Sequence, residues 1–97
     1  MIGTALTNLA LIALNEQDFA DATRHAEGAL ANFQQTGHDA HIANSLAVLA
    51  KIAFKQNNLE EARRLLEESI GILKRVGNKL YLELRANELN EVLAASK

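Results

Sequence analysis

Leu6-Thr7-Asn8-Leu9-Ala10-Leu11-Ile12-Ala13 returns forty residues later as Leu46-Ala47-Val48-Leu49-Ala50-Lys51-Ile52-Ala53. Two leucines, an alanine, an isoleucine and a second alanine recur at identical offsets. The correspondence continues outward: Ala22 falls on Ala62, Arg24 on Arg64, Glu27 on Glu67, and Gly37 on Gly77. A third copy begins with Leu89 and Val92 where Leu49 and Ile52 stood. A period in this range predicts a stacked array, in which each unit buries its apolar face against its neighbours. Arrays of this kind bind macromolecules far more often than they catalyse.

Composition supports helix throughout. There is no proline to interrupt one and no cysteine for a disulfide, a zinc-thiolate site or a thiol nucleophile. The formal net charge of −2 is too balanced to favour nucleic acid or an anionic membrane as partner. Residues 1–48 carry five acids and only Arg24, whereas residues 49–97 carry seven acids and nine bases. The apolar start, Met1 to Leu14, lacks a basic leader and is too short to span a bilayer. A soluble, cytoplasmic protein is the expectation.

Five helices are predicted. The first, about Ile2 to Leu14, turns Ile2, Leu6, Leu9, Ala10 and Ala13 inward at helical spacing. The second starts at Asp18, a good N-cap with Asp21 at the capping-box position. It buries Phe19, Ala22, Ala26, Ala29, Leu30 and Phe33 and stops at Gly37. The third, about Asp39 to Phe54, buries Ile42, Leu46, Leu49, Ala50 and Ala53. The fourth is capped by Asn58 with Glu61 three residues on; it buries Leu59, Ala62, Leu66, Ser69, Ile70 and Leu73 and stops at Gly77. The fifth, Asn78 to about Ala95, buries Leu82, Ala86, Leu89 and Leu93. Connections this short make successive helices antiparallel neighbours.

The pattern Leu-x-x-Leu-Ala-x-Ile-Ala, a short turn, then Asp/Asn-Phe/Leu-x-x-Ala resembles the tetratricopeptide repeat (TPR). Leu6, Leu9 and Ala10 fill the family's positions on the first helix of a pair, and Ala22 fills the small crossing position on the second. Leu46, Leu49, Ala50 and Ala62 repeat them. The resemblance implies an all-α, right-handed solenoid of about two and a half repeats in one domain over 1–97: repeat 1 over about 2–37, repeat 2 over about 39–77, and a capping helix over about 78–95. The period exceeds the usual 34 residues. The family's proline is replaced by Gln34 and Lys74, and its tyrosine-like position by Ala13 and Ala53. HEAT and armadillo repeats share the period, but the small-residue crossing pattern is closer to TPR.

No chemistry-bearing constellation emerges. His38 and His41 are three apart, but no third ligand stands at useful spacing and His25 lies on another helix. Glu60, Glu61, Arg63, Arg64, Glu67 and Glu68 read as solvated pairs, Glu60–Arg64 and Arg64–Glu68 at i, i+4. Gly28 and Gly71, inside helices, suggest close helix approach. There is no phosphate loop and no nucleophile elbow, so neither a cofactor nor an enzymatic activity is expected.

The TPR resemblance implies a concave groove lined by the first helices. Its candidates are Thr4, Thr7, Asn8 and Leu11; Asn44, Ala47, Val48, Lys51 and Lys55; and Asn87, Glu88 and Glu91. Thr7 and Leu11 stand where some relatives use Lys and Asn to clamp a terminal carboxylate, so that mode is not implied here. The expected function is a protein or peptide interaction scaffold. The rivals are a regulatory ligand-sensing array, and a truncated or designed array with no partner of its own.

The two edges differ. Asn90 replaces the crossing Ala10 and Ala50, which suits a terminal cap because an unpaired buried amide costs about 1–3 kcal/mol. Helix one carries no charge at all. Either preceding repeats have been cut away or this edge meets another copy. Met1, Ile2, Ala5, Leu9 and Ile12 are therefore the candidates for self-association, in the simplest case as a two-fold homodimer.

Overall fold

Two kinds of turn, each used twice, divide the chain into its helices. The computed structural model describes residues 2–96. These form α1 (Ile2–Asn15), α2 (Phe19–Thr36), α3 (Asp39–Lys55), α4 (Leu59–Val76) and α5 (Lys79–Ala95), with no strand among them. The α1–α2 and α3–α4 turns place Gln17 and Asn57 in the left-handed region at φ 61° and 62°. The Asp18 N–H then donates to the Ala13 carbonyl at 2.9 Å, and the Asn58 N–H to the Ala53 carbonyl at 2.8 Å. The α2–α3 and α4–α5 turns use Gly37 and Gly77 at φ 71° and 73°, a conformation that costs glycine nothing. The forty-residue period is thus written into the backbone as well as the side chains.

Successive helices pack as antiparallel pairs, and α1 also touches α3. The hairpins close at small residues: Ala10 and Ala22 in the first, Ala50 and Ala62 in the second, none more than 1% exposed. Two apolar clusters result. One joins α1, α2 and α3 through Ala10, Ala13, Leu14, Ala22, Ala26, Val48 and Ile52. The other joins α3, α4 and α5 through Leu46, Ala47, Ala50, Ala62, Leu66 and Val92. Ser69 is fully buried, and its hydroxyl donates to the Ala43 carbonyl at 2.7 Å, tying α4 to α3.

The repeats differ by a compensating exchange. Phe33 stands where Leu73 stands, and both are buried. Gly3 stands where Ala43 stands. A Cβ on Gly3 would lie 2.5 Å from Phe33 Cζ, so the larger ring takes the space the missing methyl leaves. Close approach therefore centres on Gly3, which composition did not single out. Gly28 is a milder case, its hypothetical Cβ meeting Leu6 Cδ1 at 3.3 Å, and Gly71 faces open space.

Several expectations are corrected. In α1 the buried set is Gly3, Thr7, Ala10, Ala13 and Leu14; Ile2 and Leu9 are exposed, because no helix among the described residues covers the side they share. In α5 only Val92 is buried. Leu82, Ala86 and Leu89 are half-buried and Leu93 is exposed, because α4 alone covers one flank. Asp18 caps α2 as expected, accepting from the Asp21 N–H at 3.2 Å, but Asn58 makes no side-chain cap bond. The surface pairs form at i, i+3 instead of i, i+4: Glu61–Arg64 at 2.6 Å and Glu60–Arg63 at 3.5 Å. Glu61 and Asp21 are each drawn to an arginine one turn on, which also holds their carboxyls below the usual range.

The Gly3–Phe33 exchange is testable by a double-mutant cycle. Gly3→Ala should destabilise by about 1–3 kcal/mol through overpacking. Gly3→Ala with Phe33→Leu, which installs the second repeat's pair, should cost clearly less than the sum of the single changes. Gly71→Ala should instead stabilise by about 1 kcal/mol. Urea denaturation midpoints check all three, and strictly additive costs at 3 and 33 would refute the compensation.

Candidate functional site

The junction between α1 and α3 is closed by an apolar pair. Leu11 of α1 and Val48 of α3 both pack into the first cluster. One period later the same two positions are Lys51 of α3 and Glu88 of α5. Charged side chains cannot seal the second junction as leucine and valine seal the first. A cleft of about 130 Å³ remains, lined by Ala47, Ala50, Lys51, Phe54, Lys55, Leu66, Glu88, Glu91 and Val92. Its floor is apolar. One rim carries Lys51 and Lys55, one turn apart on α3; the other carries Glu88 and Glu91 on α5.

The rims are not neutralised across the gap. Among the described residues neither lysine forms an ion pair, nor does Glu91; Glu88 pairs only within its own helix, Nε of Arg85 lying 2.7 Å from Oε1. That contact is an ion pair without hydrogen-bond alignment, so both atoms stay buried without a hydrogen-bond partner. Burial pushes the Glu88 carboxyl above the usual carboxylate range; Arg85 and Lys51 oppose the shift, and Glu91 adds to it.

Of the groove candidates, Ala47, Lys51, Lys55, Glu88 and Glu91 come together here. Others do not. Thr7 is buried and donates to the Gly3 carbonyl at 2.9 Å. Val48 is core, and Leu11 is half-buried against it. Thr4, Asn8 and Asn87 are exposed outside the cleft. Asn44 lines a separate small pocket beside Tyr81 and Arg85. The floor residues Phe54, Leu66 and Val92 were not anticipated as site residues. Phe54 was readable, since it repeats Leu14 one period on and ends the same helix face. A wider trough of about 350 Å³ lies between α2 and α4, over Leu30, Leu49 and Leu65. Glu61 and Arg64 at its edge satisfy each other, so it offers a partner fewer free charges.

Of the self-association candidates, Ile2, Leu9 and Ile12 are 68%, 45% and 56% exposed, and Ala5 is exposed with them. Met1 lies outside the described residues. The imidazoles of His38 and His41 meet edge to face, and His41 stacks on Phe33 with centroids 4.7 Å apart. No helix among the described residues is long and apolar enough to cross a membrane.

Paired antiparallel helices, small residues at the crossings and a face lined by alternate helices define a helical-repeat interaction scaffold. A family model for the tetratricopeptide repeat matches residues 1–75. The chain belongs to that family, whose repeats serve as protein-interaction modules. No curated protein matches it.

Because the folded state raises the Glu88 carboxyl, the native chain binds that proton more readily than the unfolded chain. The cost of burying the ionised group is present above the raised value and disappears below the ordinary one. Relative to Glu88→Gln, the unmodified chain should therefore gain stability as pH falls from 7 towards about 4.3, the ordinary glutamate value. Thermal midpoints of the two chains across that range measure it; parallel curves would mean that Glu88 titrates like a free glutamate.

Proposed function

We propose that this chain is a non-catalytic scaffold that holds a protein or peptide segment in the cleft between α3 and α5. The observation that carries the reading is an apolar floor bordered by charges with no partner across the gap. Interface cores are apolar with polar rims that set register and exclude wrong partners. At the adjoining junction Leu11 and Val48 put apolar side chains in the places of Lys51 and Glu88. Lys51→Glu with Lys55→Glu lies on the exposed side of α3 and should leave helicity intact while abolishing capture of an acid-bearing partner, with repulsion added to lost attraction. Unchanged affinity for a partner identified by cross-linking would remove the lysines from the interface. If a small effector were the ligand instead, it would raise the thermal midpoint of the chain by itself.

A second proposal, self-association through α1, rests on a comparison within the molecule. Ala5, Leu9 and Ile12 occupy the positions of Ser45, Leu49 and Ile52 in α3. There Ser45 and Ile52 are no more than 2% exposed, and Ile52 lies in the cluster shared with α1 and α2. Val92, the α5 equivalent of Ile12, is 3% exposed under the second hairpin. The edge of α1 is thus a third copy of a surface that is covered elsewhere. Burying a large aliphatic gains about 1.5–3 kcal/mol, and α1 has no charge to oppose a symmetry mate. Light scattering at micromolar concentration should report a dimer, and Ile2→Glu with Leu9→Glu should give monomer or unfolded chain. A folded monomer of the unmodified sequence would sink this second proposal and leave the first standing.

A further inference from the structure

The cleft constrains its occupant further than the scaffold reading alone, on which this inference rests. Its volume of about 130 Å³ is well below the roughly 300–1,000 Å³ of sites that enclose a small molecule or cofactor. It has room for one aliphatic or aromatic side chain. That chain would lie over Ala50, Leu66 and Val92, with the rest of the partner spanning the rims.

The rims then decide what flanks the anchor. Helices α3 and α5 are separated by one antiparallel helix and so run in the same direction. Lys51 and Lys55 form a positive line along one, and Glu88 and Glu91 a negative line along the other. A segment crossing the groove meets both lines. With acids on both sides of the anchor it is repelled by the glutamates. With bases on both sides it is repelled by the lysines. A segment without charge covers Lys51, Lys55 and Glu91 without replacing their water.

We infer that the cleft selects a peptide segment in which one apolar side chain is flanked by an acid on one side and a base on the other, the acid facing Lys51 and Lys55 and the base facing Glu88 and Glu91. Arginine suits the basic place better than lysine, because its fork can meet a carboxylate through two donors.

The test uses four synthetic alanine-based peptides, identical except for the groups flanking a central leucine: glutamate and arginine, two glutamates, two arginines, or two glutamines. Titrating each into isotopically labelled protein by NMR gives location and affinity together. The expected result is amide shifts centred on Lys51, Phe54, Glu88 and Val92, with the mixed peptide binding about tenfold or more tightly than the other three, equivalent to about 1.4 kcal/mol. Lys51→Glu with Lys55→Glu makes both rims acidic and should transfer the preference to the two-arginine peptide. Equal affinities for all four, with shifts still at the cleft, would overturn the charge selection and leave the cleft as a docking site. Shifts centred elsewhere, or none with any peptide at about 1 mM, would overturn both.

Discussion

The close crossing of paired helices at alanine is the constraint on which the other features depend. Ala22 and Ala62 have no exposed surface, and they share their clusters with Ala10 and Ala50 respectively. With no side chain beyond a methyl at the crossing, little volume separates the axes, and larger groups must pack above and below it. That arrangement gives each hairpin its stability, since the helices have few other means of holding together. Among the described residues the buried polar links between helices are few, Ser69 to Ala43 being the clearest. Dispersion and apolar burial dominate, and both fall steeply when interaxial distance grows.

Repetition then turns one solution into several, and the differences between copies carry the individuality of the chain. Phe33 and Gly3 against Leu73 and Ala43 conserve the filled volume while changing its shape. Leu11 and Val48 against Lys51 and Glu88 exchange apolar side chains for charged ones of similar size, and a cleft stands there. The first exchange lies between the helices of a hairpin, where a void would be costly. The second lies between hairpins, where Lys51 is exposed and the half-buried Glu88 is held beside Arg85. Variation in chemistry is therefore cheapest away from the crossings inside each hairpin.

What could be read from the sequence follows the same division. Helix boundaries were legible to within a residue because their signals are local: glycine at Gly37 and Gly77, a capping aspartate at Asp18, an amphipathic stripe between them. The cleft was partly legible, since Lys51, Lys55, Glu88 and Glu91 fall off the buried stripes. What escaped depended on which side of a helix a neighbour occupies. Thr7 and Val48 lie at groove-like register, yet Thr7 satisfies its hydroxyl within α1 and Val48 is sealed under the first hairpin. Gly71 and Gly3 show the same limit: both are helical glycines, and only the position of Phe33 separates the one that is needed from the one that is not. Arginine choosing the glutamate at i−3 over i−4 is a rotamer outcome that spacing alone does not decide.

Edges complete the argument, because an array's two outer faces are made from the residues that its inner junctions bury. The face of α1 bearing Ala5, Leu9 and Ile12 corresponds to the face of α3 covered by the first hairpin and to the face of α5 covered by the second. It has kept the apolar character of a junction. The opposite edge has not kept it uniformly: Glu83 and Asn90 stand where Ala43 and Ala50 line the α3–α4 crossing, and Asn90 is solvated. Leu80, Tyr81, Leu84 and Leu93 are exposed beside them, so α5 mixes polar crossing positions with apolar flanks. A helix seated against α5 as α4 is against α3 would have to desolvate Glu83 and Asn90. One seated against α1 would bury only aliphatic and small groups. These two faces are thus chemically unequal, the α5 face carrying the larger desolvation cost.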